Sequence, residues 1–171
     1  LCARPSMGKT ALALNWAEDA AAGGRNVAAF SLEMSASQWS LRLMAAHAGV
    51  DLNRMREKGA LTNDEWARLS QARNYIQSLP LAIDDCGALS VDALSARASR
   101  MHAKVPGGLG LIVVDYLQLL TGKGKSENRN DEVSYIPRRL KGLAKDLNCP
   151  VMALSQLNRS VEKSNDKRPG M

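Results

Sequence analysis

A chain of 171 residues that is 45% hydrophobic can bury one domain's core, and aromatics at only 4% leave that core to Leu, Val, Ile, Ala and Met. No apolar run approaches the ~20 residues of a membrane helix, no charged-then-apolar leader opens the chain, and Cys2, Cys86 and Cys149 are odd in number without metal-like spacing, so they read as small buried hydrophobes of a reducing compartment. A net charge of +6 and a pI near 9.5 permit a polyanionic partner and equally fit a merely basic protein.

The chain opens on Ala3, Arg4, Pro5, Ser6, Met7, Gly8, Lys9 and Thr10, which has the form G-x-x-x-x-G-K-[ST] with Ala in the first Gly position. Such a loop wraps phosphates in backbone N–H groups at a helix N-terminus. Gly8 lets the backbone approach, Lys9 is the charge for the β- and γ-phosphates of ATP, and Thr10 offers a hydroxyl to Mg²⁺. An ordinary turn before a helix is the plain alternative. Residues 11–17 form a strong helix, as the motif requires. A phosphate loop follows a buried strand, yet only Leu1 and Cys2 precede it. The first strand is therefore expected to be mostly absent, and the chain to be one domain of a longer protein.

Farther along, residues 27–32 read as a buried parallel strand with Glu33 at its end. Ser35 or Ser37 caps the next helix, and Thr62 to Glu65 opens another with Trp66, Leu69, Ala72, Arg73 and Ile76 at helical spacing. Residues 81–83 are a second strand ending in Asp84 and Asp85. Ser90 caps a helix through Val91, Leu94, Ala98 and Met101. Residues 110–114 are the most strand-like run and end in Asp115. Residues 121–131 are glycine- and charge-rich and read as a loop. A helix then carries Val133, Ile136, Leu140, Leu143 and Leu147. Pro137 lies inside it, so this helix is expected to bend or begin there. Residues 151–154 form the last strand, ending in Ser155 and Gln156.

Strands alternating with helices predict an α/β fold, a mostly parallel sheet flanked by helices on both faces. Ligands then sit at the carboxyl ends of the strands. Those ends carry Glu33, Asp84, Asp115 and Gln156, although strands also end in polar residues simply because loops are wet. Asp115 is placed to hold Mg²⁺ with Thr10, since Mg²⁺ takes few protein ligands. Glu33 is a candidate base for the attacking water, or a charge complementing a helix N-terminus. Gln156 suits a sensor of the γ-phosphate, or is a plain loop amide. Asp84 orients water or makes a structural hydrogen bond. Lys123, Lys125 and Arg129 in one loop, and Arg159, Lys163, Lys167 and Arg168 in another, suit contacts to a nucleic-acid backbone; solvated charged loops are the alternative.

The loop from Ala3 to Thr10, Phe30-Ser-Leu-Glu-Met34, Asp64-Glu-Trp66, Ile83-Asp-Asp85, Leu111-Ile-Val-Val-Asp-Tyr-Leu-Gln-Leu119, Leu154-Ser-Gln-Leu-Asn-Arg159 and Asp166-Lys-Arg-Pro169 together resemble the C-terminal RecA-like motor domain of DnaB-type replicative DNA helicases. The resemblance runs in order over essentially the whole chain. It implies a RecA-like P-loop NTPase core and a homohexameric ring that hydrolyses ATP with Mg²⁺ at subunit interfaces. It further implies translocation on single-stranded DNA with 5′–3′ polarity, primase and a helicase loader as partners, no membrane, and the cytoplasm. The family's catalytic glutamate falls on Glu33, its Walker B aspartate on Asp115 and its γ-phosphate-sensing glutamine on Gln156. Its arginine finger is expected beyond Met171. A RecA-like recombinase, and a nucleotide-dependent loading ATPase without unwinding activity, remain as alternatives; the 115–119 segment favours the helicase.

Overall fold

The computed structural model describes residues 1–3, 7–57, 59–87, 89–120 and 129–156. Six strands appear among them: β1 (Cys2–Ala3), β2 (Val27–Ser31), β3 (Leu81–Asp84), β4 (Leu111–Asp115), β5 (Val151–Ala153) and β6 (Ser155–Gln156). Five α-helices accompany them: α1 (Lys9–Ala22), α2 (Ala36–Ala48), α3 (Asn63–Ser78), α4 (Val91–Lys104) and α5 (Arg129–Asp146). Every pairing among these strands is parallel, both within the β3-β2-β4-β5 sheet and between β1 and β6.

Side chains alternate across a strand, so each central strand feeds two cores. Ala28, Phe30, Ile112 and Val114 pack with Leu94 and Ala98 of α4 and Ile136, Leu140 and Leu143 of α5. Val27, Ala29 and Val113 pack on the opposite face with Ala13, Leu14 and Ala17 of α1 and Trp39 and Leu43 of α2. Helices on both faces explain why β2 is buried along its whole length. A third, smaller cluster of Ala48, Val50, Leu69 and Ala72 joins α2 to α3.

The helices begin where short-range chemistry says they should. Ser35 accepts from the Gln38 N–H and Thr62 from the Glu65 N–H, each within a complete capping box, and Ser90 caps α4 through the Ala93 N–H. On α3 the inward position belongs to Glu65 and not to Trp66: Glu65 is 7% exposed and Trp66 58%. Both choices fit helical spacing; Arg54, reaching across from a 3₁₀ turn at residues 54–56, pairs with Glu65 and decides between them.

Three expectations are corrected. The last helix runs unbroken through Pro137 and neither begins nor restarts there. A proline forfeits a hydrogen bond within one turn, while Ile136, Leu140 and Leu143 hold both sides of that turn in the core. Arg129 opens α5, so it does not belong to the preceding loop. Of the three cysteines only Cys149 is buried, where burial pushes its thiol pKa up; Cys86 is partly buried and Cys2 exposed.

Among the described residues, no helix is long and apolar enough to cross a membrane.

Candidate phosphate and metal site

The sheet order locates the ligand edge. From β2 the chain moves outward to β3, then returns past β2 to β4 and on to β5. This reversal marks a switch point at the carboxyl ends of β2 and β4, outside which doubly wound sheets take their ligands. Ser31 lies in register with Asp115, and the Leu32 N–H donates to the Asp115 carbonyl at 2.7 Å, which extends the ladder by one residue. Glu33 therefore stands just past the point opposite Asp115, exposed at that edge. Its turn is closed by a residue the motifs did not single out. Buried Ser31 donates from Oγ to the Met34 carbonyl at 2.6 Å and accepts the Met34 N–H at 3.3 Å.

Helix α1 delivers the other half of the site. Gly8 sits at its N-cap with φ +79°, a left-handed conformation that penalises any Cβ, while no atom of the described residues crowds the position itself. Glycine is required there by the backbone angle. Thr10, in the first turn of α1, donates from Oγ1 to Asp115 Oδ2 at 2.9 Å. Asp115 is fully buried, and its Oδ1 has no hydrogen-bond partner among the described residues. Lys9 extends its ammonium to within 4.9 Å of the Tyr116 ring centroid.

An orphaned, buried carboxylate oxygen next to a hydroxyl is a pair of hard oxygen donors. That suits Mg²⁺, which takes one or two carboxylates and completes its shell with water and phosphate. The donor set therefore fits the cation expected from the sequence.

Gln156 is in a strand and not beyond one. After Leu154 the chain changes partner, and β6 pairs with β1 in the register Cys2 to Ser155 and Ala3 to Gln156. The strand bearing Gln156 thus lies between the phosphate-loop strand and the Asp115 strand. Gln118, from the 3₁₀ turn at residues 117–119, donates from Nε2 to the Gln156 carbonyl and to Ser155 Oγ, both at 2.8 Å, and its Oε1 accepts the Gln156 N–H at 3.2 Å. Gln118 and Tyr116 both lie in the 115–119 segment that carries the resemblance, but neither carried a role at the level of sequence.

Asp84 is not gathered into this group. Arg97 of α4 donates from Nη1 to both of its carboxylate oxygens, at 2.9 and 2.8 Å, so the structural reading of Asp84 holds. Its neighbour Asp85 accepts the Ala36 N–H at 2.8 Å and steadies the start of α2. Arg4, Pro5, Ser6, Lys123, Lys125, Arg159, Lys163, Lys167 and Arg168 lie outside the described residues.

Parallel sheet, covering helices, phosphate-loop helix and paired Thr10–Asp115 define a RecA-like P-loop NTPase domain. Likeness to known proteins narrows this class. The family described as DnaB-like helicase C terminal domain matches residues 1–171. A replicative DNA helicase DnaB of Geobacillus stearothermophilus is 47% identical over 100% of this chain and 37% of its own length. A replicative DNA helicase DnaC of Bacillus subtilis is 44% identical with the same coverage. A solved structure described as a DnaB-like replicative helicase and its interactions with primase superposes with TM-score 0.91 at 34% identity, over 99% of this chain and 41% of that one. A second solved structure, described as an ATPase domain, gives the same score and identity, over 99% of this chain and 60% of that one. This chain belongs to the DnaB-like helicase C-terminal domain family, which sets aside the recombinase alternative. It spans about two-fifths of the length of the two bacterial helicases just named.

Proposed function

We propose that this chain is the motor of an ATP-driven replicative DNA helicase, acting in the cytoplasm within a homohexameric ring on single-stranded DNA. The carrying observation is the Thr10–Asp115 hydrogen bond at the start of α1, with an unpartnered carboxylate oxygen beside it. Gly8 and the first N–H groups of α1 receive phosphate, and Lys9 binds the β- and γ-oxygens. Thr10 and Asp115 hold Mg²⁺, which when bound offsets charge on the phosphates. The Glu33 carboxylate takes a proton from the attacking water. Gln156 hydrogen-bonds the γ-phosphate and registers its loss. Lys123, Lys125 and Arg129, with Arg159, Lys167 and Arg168, contact DNA phosphates; these stretches follow the strand ends that carry Asp115 and Gln156. The relative described with primase supports primase as a partner, and a helicase loader follows from the same family reading.

The test is ATP turnover and displacement of an annealed oligonucleotide by the full-length protein, with Lys9→Ala alongside. Both activities are expected to be lost in the variant, because the phosphate charge loses its main partner. Normal turnover in Lys9→Ala would remove the phosphate-loop reading. Wild-type turnover without strand displacement would instead leave a loading ATPase.

A further inference from the structure

The Glu33 carboxylate stands exposed on a turn, so its aim depends on the main chain that carries it. That main chain is held almost residue by residue. The Leu32 N–H donates to the Asp115 carbonyl at 2.7 Å, which ties the near side of the turn to the end of β4. Ser31 closes the turn itself. Its Oγ donates to the Met34 carbonyl and accepts the Met34 N–H, so one hydroxyl bridges from before Glu33 to just after it. On the far side, the Ser35 N–H donates to Gln38 Oε1 at 3.1 Å and the Ala36 N–H to Asp85 Oδ2 at 2.8 Å. Asp85 directly follows β3, so the turn is anchored to β4 on one side and to the end of β3 on the other.

Local structure alone calls for neither side chain. The other four residues of β2 are apolar and buried, and a strand continues equally well with one more. A hydroxyl 1% exposed is costly unless it is bonded, and the Ser31 hydroxyl spends both its bonds on Met34. Helix α2 already has Ser35 as its N-cap within a complete capping box, so the Asp85 carboxylate is an additional tie, brought from another strand. We infer that Ser31 and Asp85 are positioning residues for Glu33, fixing the backbone of residues 31–36 so that its carboxylate meets the attacking water. This rests on the proposed role of Glu33 as the base. A misplacement of about 1 Å can cost about 10²-fold in turnover. With the backbone fixed on both sides, only the rotamers of Glu33 itself are left to settle.

The experiment measures kcat and KM for ATP with the full-length protein. The variants are Ser31→Ala, Asp85→Ala, Asp85→Asn and Glu33→Gln, with Ser31→Ala and Asp85→Ala each also combined with Glu33→Gln. Ser31→Ala is expected to lower kcat about 10- to 100-fold while KM stays within about twofold. Asp85→Ala should lower kcat by about fivefold, again with little change in KM. Asp85→Asn should restore most of that loss, because a carboxamide oxygen still accepts the Ala36 N–H. If both residues act through Glu33, neither double variant is worse than Glu33→Gln alone. Losses that add to that of Glu33→Gln would overturn the inference, and so would a raised KM with kcat unchanged. Wild-type kcat in either single alanine variant, while Glu33→Gln loses turnover, would overturn positioning by that residue and leave the base role standing. Wild-type turnover in Glu33→Gln would instead remove the base role, and the positioning with it.

Discussion

Lys9 rests against the Tyr116 ring at 4.9 Å. A cation over an aromatic face gains only about 0.5–1 kcal/mol when exposed to water. A phosphate, making charge-assisted bonds, outcompetes it, so the ring keeps the ammonium near the site without withholding it. Asp115 is the converse case. A fully buried carboxylate with one oxygen unpartnered among the described residues is costly, and a cation at that oxygen offsets the cost. Removing the Thr10 hydroxyl should therefore weaken metal binding without emptying the site: in Thr10→Val, the Mg²⁺ concentration for half-maximal turnover is expected to rise about 10- to 100-fold, measured by Mg²⁺ titration of phosphate release. An unchanged titration would leave Thr10 with a purely structural bond. Glu33 stands exposed at the carboxyl edge of the sheet on a turn pinned by Ser31 and, among the described residues, has no cation partner like the one that ties Asp84 to α4. In Glu33→Gln the amide keeps the size and loses the base, so turnover should fall about 10²- to 10⁴-fold with nucleotide affinity retained. Wild-type turnover in that variant would make Glu33 structural.

The elements show what local sequence can and cannot decide. The caps at Ser35, Thr62 and Ser90 are legible because an N-cap is settled within three or four residues. The inner face of α3 was not, because Glu65 and Trp66 differ by one position and hydrophobicity favours the wrong one; Arg54, eleven residues upstream, is what buries the acid. The Thr62 backbone N–H, followed by the Thr62 hydroxyl and the Arg54 guanidinium, holds the Glu65 carboxyl below the usual carboxylate range against the opposing effect of burial. A carboxyl depressed in the fold contributes stability that is present above its unfolded value, about 4.3, and is lost as pH falls through the lower folded value. Glu65→Gln should thus lower the urea midpoint at neutral pH and flatten its fall at acid pH; an acid limb as steep as wild type would overturn this. Pro137 misled in the other direction, because its local penalty is real but tertiary packing carries the helix across it. That penalty should be recoverable. Pro137→Ala regains the missing N–H, and its melting temperature is expected to rise with a gain of up to about 3 kcal/mol. A lowered one would mean the backbone there is fitted to proline.

At the scale of the whole molecule, the class of fold was legible because buried parallel strands and amphipathic helices alternate along the chain, and each local choice agrees with the next. The strand order was not, since pairing joins residues far apart in sequence and no single segment encodes it. That order is what sets the switch point at the ends of β2 and β4, moves Asp84 out to an outer strand, and turns the chain from β4 to β1 just before Gln156. The sequence places all four polar residues at strand ends, while which of them stand near one another was a product of topology: Thr10 meets Asp115, and Asp84 is drawn off to Arg97. The basic segments follow Asp115 and Gln156 in sequence, and their proposed task has an electrostatic signature independent of nucleotide chemistry. A protein contacting single-stranded DNA through phosphates releases counterions, and log K falls against log salt with slope about −0.7 per contact. Neutralising Lys123, Lys125 and Arg129 together should make that slope shallower by about 2 for each subunit engaging the strand. Because phosphate contacts carry no sequence information, binding should weaken alike on oligo-dT and on mixed sequence. The measurement is fluorescence anisotropy of the full-length protein on both strands between about 50 and 200 mM salt, a range in which phosphate contacts change affinity by orders of magnitude. An unchanged slope would return these three side chains to solvent. A loss confined to one strand sequence would mean that they read bases.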